Sequence, residues 1–474
     1  MTQPQPQPRT GPEQPGAPAP GGGRTQPEEA DLLRGLLHSP AYLRSLVHSA
    51  LIGVPVSLVA FWFLVALHQL EHLMWVHLPQ AMGRPIPPWW WPLVLLPLAG
   101  AVVAFVVTRL PGAGGHVPAY GLQPGGASAR ALPGVVIAAV ASLPLGAALG
   151  PEAPLIALGG GLALLFRDLA RGPETPQSTA LMAAAGAAAA MSVILGNPLV
   201  GAVLLMEVVG VGGPQLFAVM LPALLSSGIG SLVFTGFGRW TGLETGSLSL
   251  PLSGPFPRLD AGDVGWTAVI AVVIGVLVHL IMAGGRRAAA LVRARPVAAT
   301  MLCATGAGVC ATLYTLVTGR TSADVASSGQ AAMAQLAADP RSWGVGALIA
   351  VIAFKSVAYS LCLAGLRGGP IFPALFLGAA LGVLLSPLPG FGVIPGLAAG
   401  MAASAAAAFR LPVSSVVLVA LLLGSIAMTP VVMLAAVIAF CTTQLLPAFR
   451  DQQPVEEGEL PSGAGAPARE REPS

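Results

Sequence analysis

Between residues 50 and 447 the chain is a succession of fourteen apolar segments, at 50–67, 91–109, 131–149, 153–166, 180–195, 198–210, 215–236, 264–284, 297–318, 344–365, 371–387, 391–408, 411–426 and 428–447. A helix that crosses a bilayer needs about 20 apolar residues. Several of these segments are shorter, and many open on Gly-Pro or Pro. Helices that stop inside a membrane are tolerated only where their ends are buried in protein or line a polar cavity. The pattern predicts an all-α integral membrane protein with many broken helices. Charge supports this: 9% of residues are charged, against roughly 25% in a soluble domain. A soluble globular fold is thereby excluded. The net charge of +3 is too small for a nucleic-acid binder. Cys303, Cys310, Cys362 and Cys441 lie in apolar sequence without metal-ligand spacing and read as buried free thiols.

Residues 1–45 read as a disordered polar N-terminal tail, and 451–474 as a disordered C-terminal tail too short for a folded domain. The first long apolar run begins only near Leu51, so no signal peptide is expected. Arg34 and Arg44 precede the first span, and a 286–295 loop carries Arg286, Arg287, Arg293 and Arg295. By the positive-inside rule these mark the cytoplasmic side, with both tails there and the protein in the cell membrane.

The sequence also repeats itself. Residues 150–159 and 369–378 both read G-P-x-x-P-x-x-x-L-G, an offset of 369 − 150 = 219. Residues 184–198 and 398–412 share Ala-Ala-Gly and a later proline, an offset of 412 − 198 = 214. Two ordered pairs with nearly equal offsets predict two halves, 46–245 and 246–450. Gly/Pro-interrupted segments at corresponding places in two halves point to a transporter's binding site. Proline suits the first turn of a helix, and the remaining first-turn amides carry partial positive charge. A helix start inside the membrane is therefore an anion site, and two could meet near the midplane. Glu152 stands in the first turn of one of them. Its carboxylate is itself an anion, able to occupy the amide site until a permeant anion or a proton displaces it. It would then be both gate and proton acceptor.

At these residues the chain resembles the CLC family of chloride channels and chloride/proton antiporters, in the form without CBS domains. Gly114-Gly115-His116-Val117-Pro118 is similar to the family's GSGIP loop, and Gly150-Pro151-Glu152-Ala153-Pro154 to its G-R/K-E-G-P motif. Asn197 through Gly201 and Glu207 resemble its asparagine/proline stretch with an acidic residue. Lys355 through Gly369-Pro370-Ile371-Phe372-Pro373 resembles its Lys-to-GxFxP region. The resemblance implies an inverted repeat of about eighteen tilted helices, a homodimer with a pore in each subunit, and transport of chloride with or without protons. It implies no enzyme, no cofactor and no metal. The implied anion-binding residues are Gly115, His116, Val117, Glu152, Ala153, Ile371 and Phe372.

The sequence departs from the family pattern at several points. Gly115 replaces the loop serine, the last tyrosine is Tyr359, Val208 holds the place of an inner proton-transfer glutamate, and Pro151 and Pro370 lack amide donors. Channel and antiporter both stay open, as do fluoride, nitrate or a small organic anion as cargo. Glu207 is a structural carboxylate or part of a proton route. Lys355, the only lysine, acts through its field or structurally; Arg367 and Arg410 are expected at a vestibule or headgroups. A remote alternative is a membrane zinc hydrolase, from the H-x-x-E-H pattern of His68, Glu71 and His72.

Overall fold

The computed structural model describes residues 34–447 apart from 36, 123–126, 172–174, 211–213, 244, 246–249, 251 and 253–255. Both expected tails lie largely outside the described residues. Helix α1 (Pro40–His72) continues through a π-helical turn (Leu73–His77) into α2 (Leu78–Ala81). There follow α3 (Pro92–Arg109), α4 (Leu132–Ser142), α5 (Glu152–Leu169), α6 (Pro176–Leu195), α7 (Pro198–Val209) and α8 (Pro214–Thr241). The chain goes on through α9 (Ala261–Ala294), α10 (Pro296–Thr318), α11 (Gln330–Ala338), α12 (Gly344–Gly365), α13 (Ile371–Leu385), α14 (Val393–Phe409), α15 (Pro412–Leu423) and α16 (Thr429–Leu445). Many of these open on proline, whose fixed φ and missing N–H suit the first helical position.

Among the described residues, eight helices are long and apolar enough to cross a membrane, and five shorter apolar ones accompany them. The implied number of eighteen is therefore approximate for this chain. Leu232, Leu302 and Val317 are each at least 70% exposed on these helices. That exposure suits an acyl-chain environment rather than water.

Close packing repeats with the sequence. A Cβ on Gly159 of α5 would run into the Gly186 carbonyl of α6, and one on Gly378 of α13 into the Gly400 carbonyl of α14. Small residues let these helix pairs approach closely, which is how helices associate in lipid. The offsets are 378 − 159 = 219 and 400 − 186 = 214, the same two found in the sequence.

Three boundaries and the burial of one cysteine differ from expectation. Residues 34, 35, 37 and 38 are already helical and the first long helix starts at Pro40, inside the span assigned to the N-terminal tail. The expected 286–295 loop is helical through Ala294, because the alanines after Arg287 are strong helix formers. Its arginines sit in the last turns of α9, where they complement the helix dipole. Segment 131–149 is helical only through Ser142: Leu143 keeps helical backbone and donates to Ala139 O, but Pro144 has no N–H with which to continue the ladder. Cys441 is exposed rather than buried, being on the outer face of α16.

Candidate functional site

The two copies of the repeated motif meet. Gly150 N–H donates to Gly369 O at 2.8 Å, and Gly369 N–H donates to Gly150 O at 2.5 Å. This isolated antiparallel bridge pairs the first residue of one copy with the first residue of the other. Helices α5 and α13 both start from it, with Pro151 and Pro370 as their N-cap residues rather than their first helical ones.

Glu152 is fully buried at this junction. Its Oε1 accepts the Phe372 N–H, a first-turn amide of α13, at 3.0 Å. Its Oε2 is buried with no hydrogen-bond partner among the described residues. The carboxylate lies against Gly150 and Gly369, where a Cβ on either residue would collide with it. Glu152, Ile371 and Phe372 thus come together as expected from their motifs, and Ala153 follows half-buried. An acidic side chain from one helix start lies on the amides of the other.

Sequence reasoning missed Tyr359. Its fully buried hydroxyl donates to Pro370 O at 2.7 Å, at the threshold of α13. The family pattern places its tyrosine near the last helix, whereas this one reaches the site from α12. The one available signal was its place eleven residues ahead of a Gly-Pro helix start.

Lys355, also on α12 and fully buried, donates to the carbonyls of Asp324, Val325, Ala326 and Ser327 at 3.1–3.3 Å. Four carbonyl dipoles offset its charge, and among the described residues no carboxylate forms an ion pair with it. The loop held this way is tied to the site, because Ser327 N–H donates to Gly146 O at 3.0 Å, just ahead of Gly150. Lys355→Met leaves four buried carbonyls without this donor and is expected to destabilise the protein by about 3 kcal/mol. Thermal unfolding in detergent measures this, with a smaller loss expected for Lys355→Arg.

The 111–117 loop turns through left-handed backbone at Gly112, Ala113, Gly114 and Gly115. Arg367 braces it: Nε and Nη2 donate to Ala113 O at 3.4 and 3.3 Å, and Nη1 donates to Leu366 O at 3.2 Å. Arg367 is therefore buried in protein, against the expectation of a vestibule or headgroups, because these carbonyls replace its hydration. Arg410 does lie exposed, at φ +58°. Gly115, His116 and Val117 are half-buried beside this brace. His116 Nε2 donates to Gly121 O at 2.7 Å, and burial pushes its imidazole pKa down to about 4. It is a neutral ring that closes the loop on itself.

Cavities lie at either end of α3. At the end where Trp91 Nε1 donates to Met74 O at 3.0 Å, a vestibule of about 620 Å³ is lined by His68, Glu71, Arg320 and Asp324. It narrows, past His68 and Glu71, to a neck of about 40 Å³ that touches Leu149 and Pro151. A water needs about 10–15 Å³ of such volume, so the neck has room for only a few waters. The 18 residues of α3 span about 27 Å. At their other end a cavity of about 130 Å³ is lined by Tyr120, His279, Arg286 and Arg410.

Glu207 is elsewhere, at the junction of α7 and α15. It accepts Val413 N–H at 3.0 Å and Ser414 N–H at 2.7 Å, capping α15 from another helix. Glu207→Ala is expected to lower stability by about 1 kcal/mol, read as a shift in the midpoint of thermal unfolding. His68, Glu71 and His72 line the vestibule. Among the described residues no group of three or more His, Cys, Asp or Glu is arranged to hold a metal.

The family model described as "Voltage gated chloride channel" matches residues 115–444. The protein YfeO of Salmonella schwarzengrund (strain CVM19633) is 27% identical over 340 residues, 71% of this chain and 78% of that protein. YfeO of Salmonella typhimurium (strain LT2) matches over the same shares. Among solved structures, a slow cyanobacterial Cl⁻/H⁺ antiporter superposes with a TM-score of 0.69 at 18% identity, covering 85% of this chain and 94% of that one. A CLC-type fluoride/proton antiporter superposes with a TM-score of 0.60 at 18% identity, over 85% and 96% of the chains. A eukaryotic CLC transporter gives a TM-score of 0.63 at 19% identity, over 86% and 72%.

Proposed function

Since the chain belongs to the voltage gated chloride channel family, we propose that it moves small inorganic anions across a cell membrane, chloride first among them, with Glu152 as its gate. The observation that carries this is the fully buried Glu152 carboxylate on the Phe372 amide, where Gly150 and Gly369 pair. Ionised, it is held by the partial positive charge of the α13 start and excludes a permeant anion. Protonated, it loses that attraction and yields the site. The neck shares His68 and Glu71 with the larger vestibule and is lined by Leu149 and Pro151, neighbours in sequence of this point, and the arginine-lined cavity lies toward the other end.

Arg44 at the start of α1, Arg109 at the end of α3, and the arginines ending α9 gather at the end that holds the smaller cavity. By the positive-inside rule this end is cytoplasmic, and both tails follow it. The homodimer that the family resemblance implies has an apolar surface to use, with Leu199 of α7 and Val413 and Leu421 of α15 exposed. Val208 in place of a second glutamate favours conduction without stoichiometric proton exchange. Glu207, engaged in capping α15, offers no ready substitute.

The test is reconstitution in liposomes with opposed chloride and proton gradients. A reversal potential that follows chloride alone is expected; a pH-dependent shift would make the protein an exchanger. Substituting fluoride, nitrate or a carboxylate ranks the cargo. No flux of any of these anions would defeat the proposal.

A further inference from the structure

A second cavity, of about 360 Å³, lies away from the anion path, between the start of α1, the end of α5 and the start of α6. Its lining is divided by chemistry. Arg44, His48 and Arg167 stand toward the end of the helices, and Ile52, Pro55 and Met182 line the part toward the middle of the bundle. From Arg44 to Pro55 is eleven residues of α1, about 16 Å along the axis. Half of the ~30 Å hydrocarbon core is about 15 Å. The cavity thus has the depth of one leaflet, basic at its interfacial end and apolar at its inner end. It is also open sideways, since Val47 and Leu51 on the neighbouring face of α1 are exposed.

The charges do not cancel locally. Arg167 is fixed by an ion pair with Asp168 at 2.6 Å and by a hydrogen bond to Thr179 Oγ1 at 2.5 Å. Arg44 is exposed and has no carboxylate partner among the described residues. Among the described residues, two guanidinium groups and one carboxylate leave a positive mouth above an apolar slot. Inorganic phosphate would satisfy the mouth and leave the slot without a partner. A zwitterionic lipid would fill the slot but bring its own cation to the arginines. Basic pockets between membrane helices on the cytoplasmic side suit anionic headgroups.

We propose that this cavity binds one anionic phospholipid from the adjacent leaflet, with its phosphate on Arg44 and Arg167 and an acyl chain along Ile52, Pro55 and Met182. The site is separate from Glu152, so its test does not depend on the proposed transport. The full-length protein, purified in mild detergent, is mixed with phosphatidylglycerol or phosphatidylcholine of matched chains and examined by native mass spectrometry. Preferential retention of one phosphatidylglycerol per chain is expected, and excess inorganic phosphate should not displace it. Arg44→Gln should lower that retention about fivefold, the effect of one arginine near a lipid surface. Ala170→Trp, at an exposed position of the cavity mouth, should remove retention of both lipids. Equal retention of the two lipids, displacement by phosphate, or retention unchanged in both variants would overturn the proposal.

Discussion

Gly369→Ala is expected to cut anion flux about a hundredfold although the Glu152 side chain is still present. The added methyl would occupy the position that the Glu152 carboxylate now holds against the backbone of residues 150 and 369. The carboxylate is the end of a flexible side chain and can swing away, whereas the Glu152 Cβ cannot, so the two helix starts must also part slightly as the variant folds. The anion site itself remains filled by carbon. Overpacking at such a place costs about 1–3 kcal/mol, and about 3 kcal/mol on a transport barrier is a hundredfold in rate. Liposome efflux measures it beside the circular-dichroism spectrum and gel-filtration profile of the variant. A well-folded Gly369→Ala protein with flux near wild type would mean that anions do not pass between Gly150 and Gly369.

Glu152→Ala should do the opposite. It removes the competing carboxylate and adds nothing in its place, so efflux should persist and lose its dependence on pH. In the wild type the ionised carboxylate blocks and the protonated one releases, so flux rises as pH falls. Above the midpoint of a single titrating gate, the protonated fraction falls about tenfold for each pH unit. The two variants together separate gate from path: one closes a site whose gate is present, the other opens a site whose gate is gone. Wild-type flux that is flat with pH, or a Glu152→Ala profile that still follows pH, would remove Glu152 from the gating role.

Much of the site could be read from the sequence because its key positions are backbone features signalled by Gly and Pro. The spacing of Gly150-Pro151 and Gly369-Pro370 marked two helix starts, and the offset of 219 made them counterparts. Their hydrogen bonding to each other follows that spacing. Glu152 stood out because an ionisable residue in an apolar stretch is costly. What stayed hidden depends on tertiary neighbours. Nothing in the sequence around Tyr359 says that its hydroxyl meets Pro370 O. Lys355 stood out as the only lysine, but its four carbonyl partners lie about 30 residues upstream in an unremarkable loop. Glu207 carried two readings because a carboxylate on an apolar helix looks the same whether it moves protons or caps a distant helix. The π-helical turn at Leu73–His77 left no sequence trace, since its residues suit an ordinary helix equally well.

The pairing of Gly150 with Gly369 also bears on how the protein is made. The amide that receives the Glu152 carboxylate belongs to Phe372, 220 residues further along the chain. At about 5–20 residues per second, the ribosome takes roughly 10–40 seconds to supply it. Throughout that interval the nascent first half must hold an acidic group with no final ligand, shielded by protonation, by water or by the translocon. Biogenesis of this protein therefore includes a waiting step, and an arrested chain ending before residue 369 should be a preferred substrate for membrane quality-control proteases.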